Sequence, residues 1–397
     1  MVRTSATKES SPQETWVYVL AVFGLSRLFF LGVGALAAAY LPQAEPAGNP
    51  LEPPGFLSYW AHWDGAWYSE IATEGYGERA PASTAFFPLY PMLLRLGTAI
   101  GGGPALWGVL ISLLCTLFAL FFLYRIAEEL YDARTARVAT LALAFFPTAF
   151  FLNAVYTEAP FIALTTGAFW AAYVRRDFLL AGLLGSLAAA TRNLGVLLLI
   201  PLAVEWARNR REFGAGGLAG MALIPGGLLA YAAFLWGRFG EPLVFARQQS
   251  EYWGRTLASP ATTAADAWGA ASAGAGRLLD PATLFLSTSA RPALEASNTV
   301  NLVFLLIFLI LMGVGFVVLP AGLSLYTYII VLLPLLTPAP AFPLMSLPRF
   351  LLGAFPIFLV LGYLLSRSKP ALILWFLFSA STGVALTALF TTWRWVA

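Results

Sequence analysis

The chain is expected to be an all-α, polytopic membrane protein of about 10–12 transmembrane helices in a single integral membrane domain over residues 1–397. Three observations carry this. Of its 397 residues 59% are hydrophobic and only 11% charged, against about a quarter charged in a soluble domain. Its mean hydropathy is +0.76. Apolar runs of the roughly 20 residues needed to cross about 30 Å of hydrocarbon recur along it, leaving no room for a sizeable soluble catalytic domain. The 23 Lys and Arg exceed the 20 Asp and Glu by a net charge of +3, and they are scattered in short loops, so membrane lipids rather than nucleic acid are the expected surroundings. A single cysteine, Cys115, excludes a disulfide framework and a cysteine metal cage.

The first apolar run, 16–40, follows Arg3 and Lys8 and is too long for a signal-peptide core, so it reads as a retained span with a cytoplasmic N-terminus. The small residues at 35–40 leave a cleaved signal peptide as the alternative. Short loops rich in Lys and Arg mark the cytoplasmic side: Arg125/Arg134/Arg137, Arg175/Arg176, Arg208/Arg210/Arg211 and Arg367/Lys369. Two such loops flank the apolar stretch 138–174, so it must cross twice, and its interruption at 153–160 places Tyr156 and Glu158 on the outer side. The same parity puts Arg192 and Asn193, in the break of 179–205, on that side. Each arm there has roughly 10–12 residues, too short to cross, so its tip should sink into the protein and line a cavity. Further spans read as 105–124, 217–236, 300–319, 322–336, 350–365 and 371–390. The outer face keeps a loop at 41–103, a Pro-rich loop at 337–349 ending in Arg349, and a long loop at 237–298 carrying Arg238, Arg247, Arg255, Arg277 and Arg291. Ala-Phe-Phe-Pro occurs at both 85–88 and 144–147, with no repeat of solenoid period.

The first outer loop holds the densest polar and aromatic cluster. At helical spacing Phe56, Trp60, Trp63, Trp67 and Ile71 form one stripe, the pattern of a helix lying in the membrane interface. Asp64 borders that stripe, one turn from Trp60 and Tyr68, and is a candidate general base; a solvated acid on an anchor helix is the bland alternative. His62 is the one histidine. A metal role would need partners such as Asp64 or Glu158, and without a second His or an available Cys no metal or cofactor is expected. Glu158, Arg192 and Arg349 sit at the mouths of apolar segments, where ionisable groups are costly unless paired or lining a wet cavity. With Asp64 on the same side they suggest one site, and a guanidinium fork suits a phosphate. Arg27, inside the first span, is either a further such group or a structural pair.

These residues resemble a known family, the PIG-V type of GT-C glycosyltransferases: GPI mannosyltransferase II and its prokaryotic relatives. The resemblance lies in His62-Trp63-Asp64-Gly-Ala-Trp-Tyr68 with Ile71-Ala and Gly75-Tyr76, then Ala85-Phe-Phe-Pro-Leu-Tyr-Pro91, Phe146-Pro147 leading to Tyr156-Thr-Glu158, Thr191-Arg-Asn193, and Leu347-Pro-Arg349-Phe. It implies a multi-span GT-C fold and a polyprenyl-phosphate-mannose donor. It further implies inverting mannosyl transfer on the extracytoplasmic face, at the plasma membrane in a prokaryote, to a glycolipid, glycan or protein acceptor. Asp64 would be the base, Arg192 and Arg349 would hold the donor phosphate, and His62, Trp63, Tyr68, Tyr156, Glu158 and Asn193 would support them. A transporter or lipid flippase with a polar outward cavity, and a GT-C enzyme using another polyprenyl-phosphate sugar, are the alternatives.

Overall fold

The computed structural model describes residues 11–45, 55–77 and 81–396. Arg3 and Lys8, with parts of the first outer loop, lie outside the described residues. Among those described the chain is all-helical, with one isolated β-bridge between Ala339 and Phe342.

Helix α1 (Pro12–Tyr40) starts at a capping box, Ser11 accepting from the Glu14 N–H while Glu14 returns the bond to the Ser11 N–H, with Pro12 preset at its first position. A 3-10 turn at Ser58–Trp60 leads to α2 (Asp64–Glu74), followed by α3 (Leu89–Thr98), α4 (Pro104–Leu130) and α5 (Ala133–Ala144). After a long irregular stretch come α6 (Glu158–Tyr173), α7 (Phe178–Thr191), α8 (Leu199–Arg208), α9 (Arg210–Leu223) and α10 (Gly226–Phe239). The segment read from sequence as a long outer loop is mostly helical: α11 (Val244–Glu251), α12 (Pro260–Leu278), α13 (Pro281–Leu286) and the first turns of α14 (Arg291–Val318). Its Ala and Gly suit close packing, and α12 lies along α14 with Gly274 against the Glu295 carbonyl. The chain ends with α15 (Ala321–Leu332), α16 (Leu347–Phe350), α17 (Pro356–Leu365) and α18 (Lys369–Thr391).

Among the described residues five helices are long and apolar enough to cross a membrane: α1, α4, the kinked 210–239 unit of α9 and α10, α14 and α18. A sixth is formed if the pair 347–353 and 356–365, bent by 84°, counts as one. The protein is a multi-pass integral membrane protein. The other expected spans form shorter helices, as at Phe178–Thr191 and Ala321–Leu336. The expected straight span at 350–365 is likewise two pieces meeting at a corner.

The stretch between α5 and α6 is buried throughout, so its free carbonyls need partners from other helices. Arg27 of α1 supplies three bonds, to the Ala144 and Ala149 carbonyls and to Asn153 Oδ1, at 2.7–2.8 Å. Ser112 and Thr116 of α4 donate to the Ala154 and Leu152 carbonyls. Arg27 is therefore a structural clamp. Both Ala-Phe-Phe-Pro copies stand at helix boundaries, one before α3 and one after α5. Helix α7 meets α9 through glycines: a Cβ on Gly182 would lie 1.8 Å from the Gly220 carbonyl oxygen.

Candidate active site

One cavity of about 440 Å³ gathers residues from across the chain. Asp64 enters it as the first residue of α2. The expected continuous interfacial stripe from Phe56 to Ile71 is not formed, because Trp63 adopts φ 56° and breaks the chain between the 3-10 turn and α2. Trp60 is fully buried, so it belongs to the core rather than to a headgroup-level anchor. Tyr68 does lie one turn from Asp64 and lines the cavity. Its hydroxyl is 3.0 Å from Thr157 Oγ1. Burial raises its pKa well above the ordinary phenol range, against the lowering pull of Arg192.

Tyr156 fixes the break before Asp64 from below. Its hydroxyl donates to the His62 carbonyl at 2.9 Å and accepts from the Asp64 N–H at 3.2 Å. Gly65 then allows α2 to approach the irregular stretch, since a Cβ there would stand 3.3 Å from the Val155 carbonyl oxygen.

Opposite Asp64, α16 presents Arg349 after Ser346, a non-glycine residue at φ 68°. Arg349 Nη1 donates to Asp64 Oδ2 at 2.6 Å. Its Nε lies 3.2 Å from Glu158 Oε1, an ion-pair distance without hydrogen-bond alignment. Glu158, the first residue of α6, also accepts from Arg192 Nη1 at 2.7 Å. It is 2% exposed, and its Oε2 is buried without a hydrogen-bond partner. Arg192 is the extended residue closing α7, and Asn193 beside it also lines the cavity. The four groups thus form a chain, Asp64 to Arg349 to Glu158 to Arg192, in which acids and bases alternate.

His62 takes another place. It is buried outside the cavity wall, its Nδ1 is 3.0 Å from the Phe390 carbonyl oxygen, and its ring stacks on Trp393 at 3.8 Å. Burial lowers its pKa to about 4, partly offset by that hydrogen bond, so it supports the turn before Asp64 as a neutral ring. Trp63 packs edge-on against Trp393 and Trp395. Among the described residues no three His, Cys, Asp or Glu side chains gather as metal ligands.

Arg255 was missed as a site residue. It sits on the segment between α11 and α12, donates to the Thr337 and Met345 carbonyls, and lies over the Phe350 ring. Burial, reinforced by Arg349, lowers its pKa to about 10, while Asp64 opposes the change. Three guanidiniums therefore meet two carboxylates in this cavity, a surplus of one positive charge. Its signal in the sequence was Tyr252-Trp253-Gly254-Arg255, an aromatic and basic cluster inside an Ala/Ser/Thr-rich run. Trp253 and Trp395 line the same cavity and were missed too.

Residues 82–224, a little over a third of the chain, match the family model described as dolichyl-phosphate-mannose-protein mannosyltransferase. That segment holds Tyr156, Glu158, Arg192 and Asn193 but not Asp64 or Arg349. No curated protein matches the chain. Among solved structures it is similar to the Archaeoglobus fulgidus oligosaccharyltransferase tethered to an acceptor peptide, with TM-score 0.45, 11% identity, and coverage of 95% of this chain and 55% of that one. Another crystal structure of that enzyme, in complex with zinc and sulfate, gives TM-score 0.43 at 13% identity, covering 92% and 53%. ArnT from Cupriavidus metallidurans bound to undecaprenyl phosphate gives TM-score 0.36 at 14% identity, covering 87% and 78%. The chain spans about half the length of the archaeal enzyme.

Proposed function

We propose that the protein is a GT-C glycosyltransferase of the PIG-V-like kind, moving a mannosyl residue from a polyprenyl-phosphate-linked donor to a hydroxyl of an extracytoplasmic acceptor with inversion. The observation that carries this is the convergence of one accessible carboxylate, Asp64, with three guanidiniums in a single cavity. The segment match to a mannosyltransferase family supports the choice of sugar.

The donor is a phosphodiester with one negative charge, which suits the cavity's surplus of one positive charge. Arg255, which has carbonyls but no carboxylate among its hydrogen-bond partners, is the first group to meet it. Arg349 then exchanges Asp64 for a phosphate oxygen, and Asp64 is freed beside the anomeric carbon. The acceptor oxygen forms the new bond to that carbon as the bond to the phosphate oxygen breaks, through a transition state of oxocarbenium character. Its proton passes to Asp64. The leaving polyprenyl phosphate departs with a second negative charge, which Arg192, Arg255 and Arg349 stabilise, so no acid is required to protonate it. Glu158 holds Arg192 and Arg349 in place.

The test is transfer of labelled mannose from polyprenyl-phosphate mannose in membranes containing the wild-type chain or Asp64→Asn at matched protein levels. Wild type moves label, and the variant is slower by about 10²–10⁴. A correctly inserted Asp64→Asn protein with near-normal turnover overturns the role of Asp64. Absence of transfer by wild type across a panel of lipid-linked sugars and acceptors overturns the enzyme reading in favour of a transporter.

A further inference from the structure

Four non-glycine residues among those described have positive φ: Trp63, Arg176, Ser346 and Trp393. Bulky residues adopt this conformation only where the surroundings enforce it, and such strain gathers at functional sites. Two of the four set the central ion pair: Trp63 immediately precedes Asp64, and Ser346 lies on the turn that launches Arg349. Trp393, at φ 61°, stands in the same relation to Trp395, which lines the same cavity.

The enforcement at Trp393 is visible. Arg394 is fully buried. It donates through Nη1 to the Pro42 and Thr392 carbonyls at 2.9 and 3.3 Å, and through Nη2 to the Ser287 carbonyl at 2.5 Å. The Ala44 N–H closes the arrangement on the Thr392 carbonyl at 3.0 Å. The latch joins the chain after α1, the chain after α13 and the end of α18. All these acceptors are neutral carbonyls, so burying the guanidinium there costs desolvation that no ion pair offsets. The outcome of strain and buried charge together is one fixed position for Trp395, edge-on to Trp63 with ring centroids 5.0 Å apart and planes at 84°. The indole N–H groups of Trp63 and Trp395 are both buried without a hydrogen-bond partner.

We propose that Trp395 is the wall against which the hexose ring of the donor packs beside Asp64, held there by the Arg394 latch. The inference rests on the reading of the cavity as a polyprenyl-phosphate-sugar site. A sugar is joined to its phosphate through one oxygen, so a phosphate held by the three arginines places the ring in the same cavity. The C–H face of a pyranose is apolar and packs on an aromatic surface, while its hydroxyls need donors and acceptors at the edge. Asp64 and Asn193, which line the same cavity, are groups of that kind.

The experiment compares equilibrium binding of polyprenyl-phosphate mannose and of sugar-free polyprenyl phosphate to the full-length purified protein. Wild type binds the mannose-bearing lipid more tightly. Trp395→Ala weakens that lipid by about 3- to 10-fold, the worth of one aromatic contact, and leaves sugar-free polyprenyl phosphate unchanged. Trp395→Phe restores most of the difference, and Arg394→Met reproduces the Trp395→Ala pattern. Equal weakening of both lipids by Trp395→Ala, or no weakening of either, overturns the proposal, as does equal binding of the two lipids by wild type. Failure of wild type to bind either lipid overturns the underlying reading itself, which separates the two failures.

Discussion

Replacing Glu158 by glutamine tests the charge chain at its centre, since the change keeps the shape and removes one negative charge. Glu158 is 2% exposed and faces Arg192 at 2.7 Å and Arg349 at 3.2 Å. With charge centres about 4 Å apart and an effective dielectric near 20, each contact has a gross attraction of about 4 kcal/mol. Glutamine also abolishes the desolvation cost of the buried carboxylate, which is several kcal/mol. The net loss, with two buried guanidiniums left short of an acid, is about 3–5 kcal/mol. Thermal unfolding of purified protein should show Glu158→Gln strongly destabilised. In a double-mutant cycle with Arg192→Met the losses should be non-additive by about 0.5–3 kcal/mol. A Glu158→Gln protein within about 0.5 kcal/mol of wild type, or strictly additive losses, would refute the view that this carboxylate organises the site.

Lowering the pH tests His62. Its pKa is about 4 in the fold against 6.5 for the free side chain, so between these values the unfolded chain binds a proton that the native one does not, and stability falls as pH drops from about 6.5 to 4. The shift corresponds to about 3 kcal/mol, and a His62→Gln variant should lose that part of the pH dependence in unfolding scans. Arg27→Met removes three bonds from the buried stretch between α5 and α6 and should cost roughly 3 kcal/mol or more. At a temperature where it stays folded, that variant should bind donor normally, because Arg27 lies outside the cavity wall. Gly182→Ala forces a methyl onto the α9 backbone; separation of α7 from α9 should lower stability by about 1–3 kcal/mol or more, read as loss of monodisperse protein in detergent.

Much of the site was legible because ionisable residues in a chain this apolar are rare and costly, so Asp64, Glu158, Arg192 and Arg349 stood out by contrast. The break at Arg192 was visible because its two arms are too short to cross. What periodicity missed was backbone conformation. The stripe from Phe56 to Ile71 satisfies helical spacing, but the hydrogen bonds of Tyr156, from 92 and 94 residues away, hold the chain in a turn at Trp63 instead. Arg255 and Trp395 were hidden for another reason. Both lie on segments whose local composition reads as loop or helix end, and only long-range packing, against Thr337 and Met345 for one and Pro42 and Ser287 for the other, brings them to the cavity. The bend between α16 and α17 was equally invisible to a hydropathy window, which averages over a corner.

The order in which the charge chain can assemble follows from its spacing along the polypeptide. Arg192 follows Glu158 by 34 residues, so that pair can close within one helical hairpin as the chain emerges. Asp64 waits for Arg349, 285 residues later. At a synthesis rate of about 5–20 residues per second this is an interval of roughly 15–60 seconds. Throughout it the carboxylate has no cationic partner from α16 and must remain at water rather than within hydrocarbon. Assembly of the Asp64–Arg349 ion pair is thus a late event of biogenesis, and a ribosome that stops before α16 leaves behind a chain whose helices are inserted but whose acid is still unclaimed.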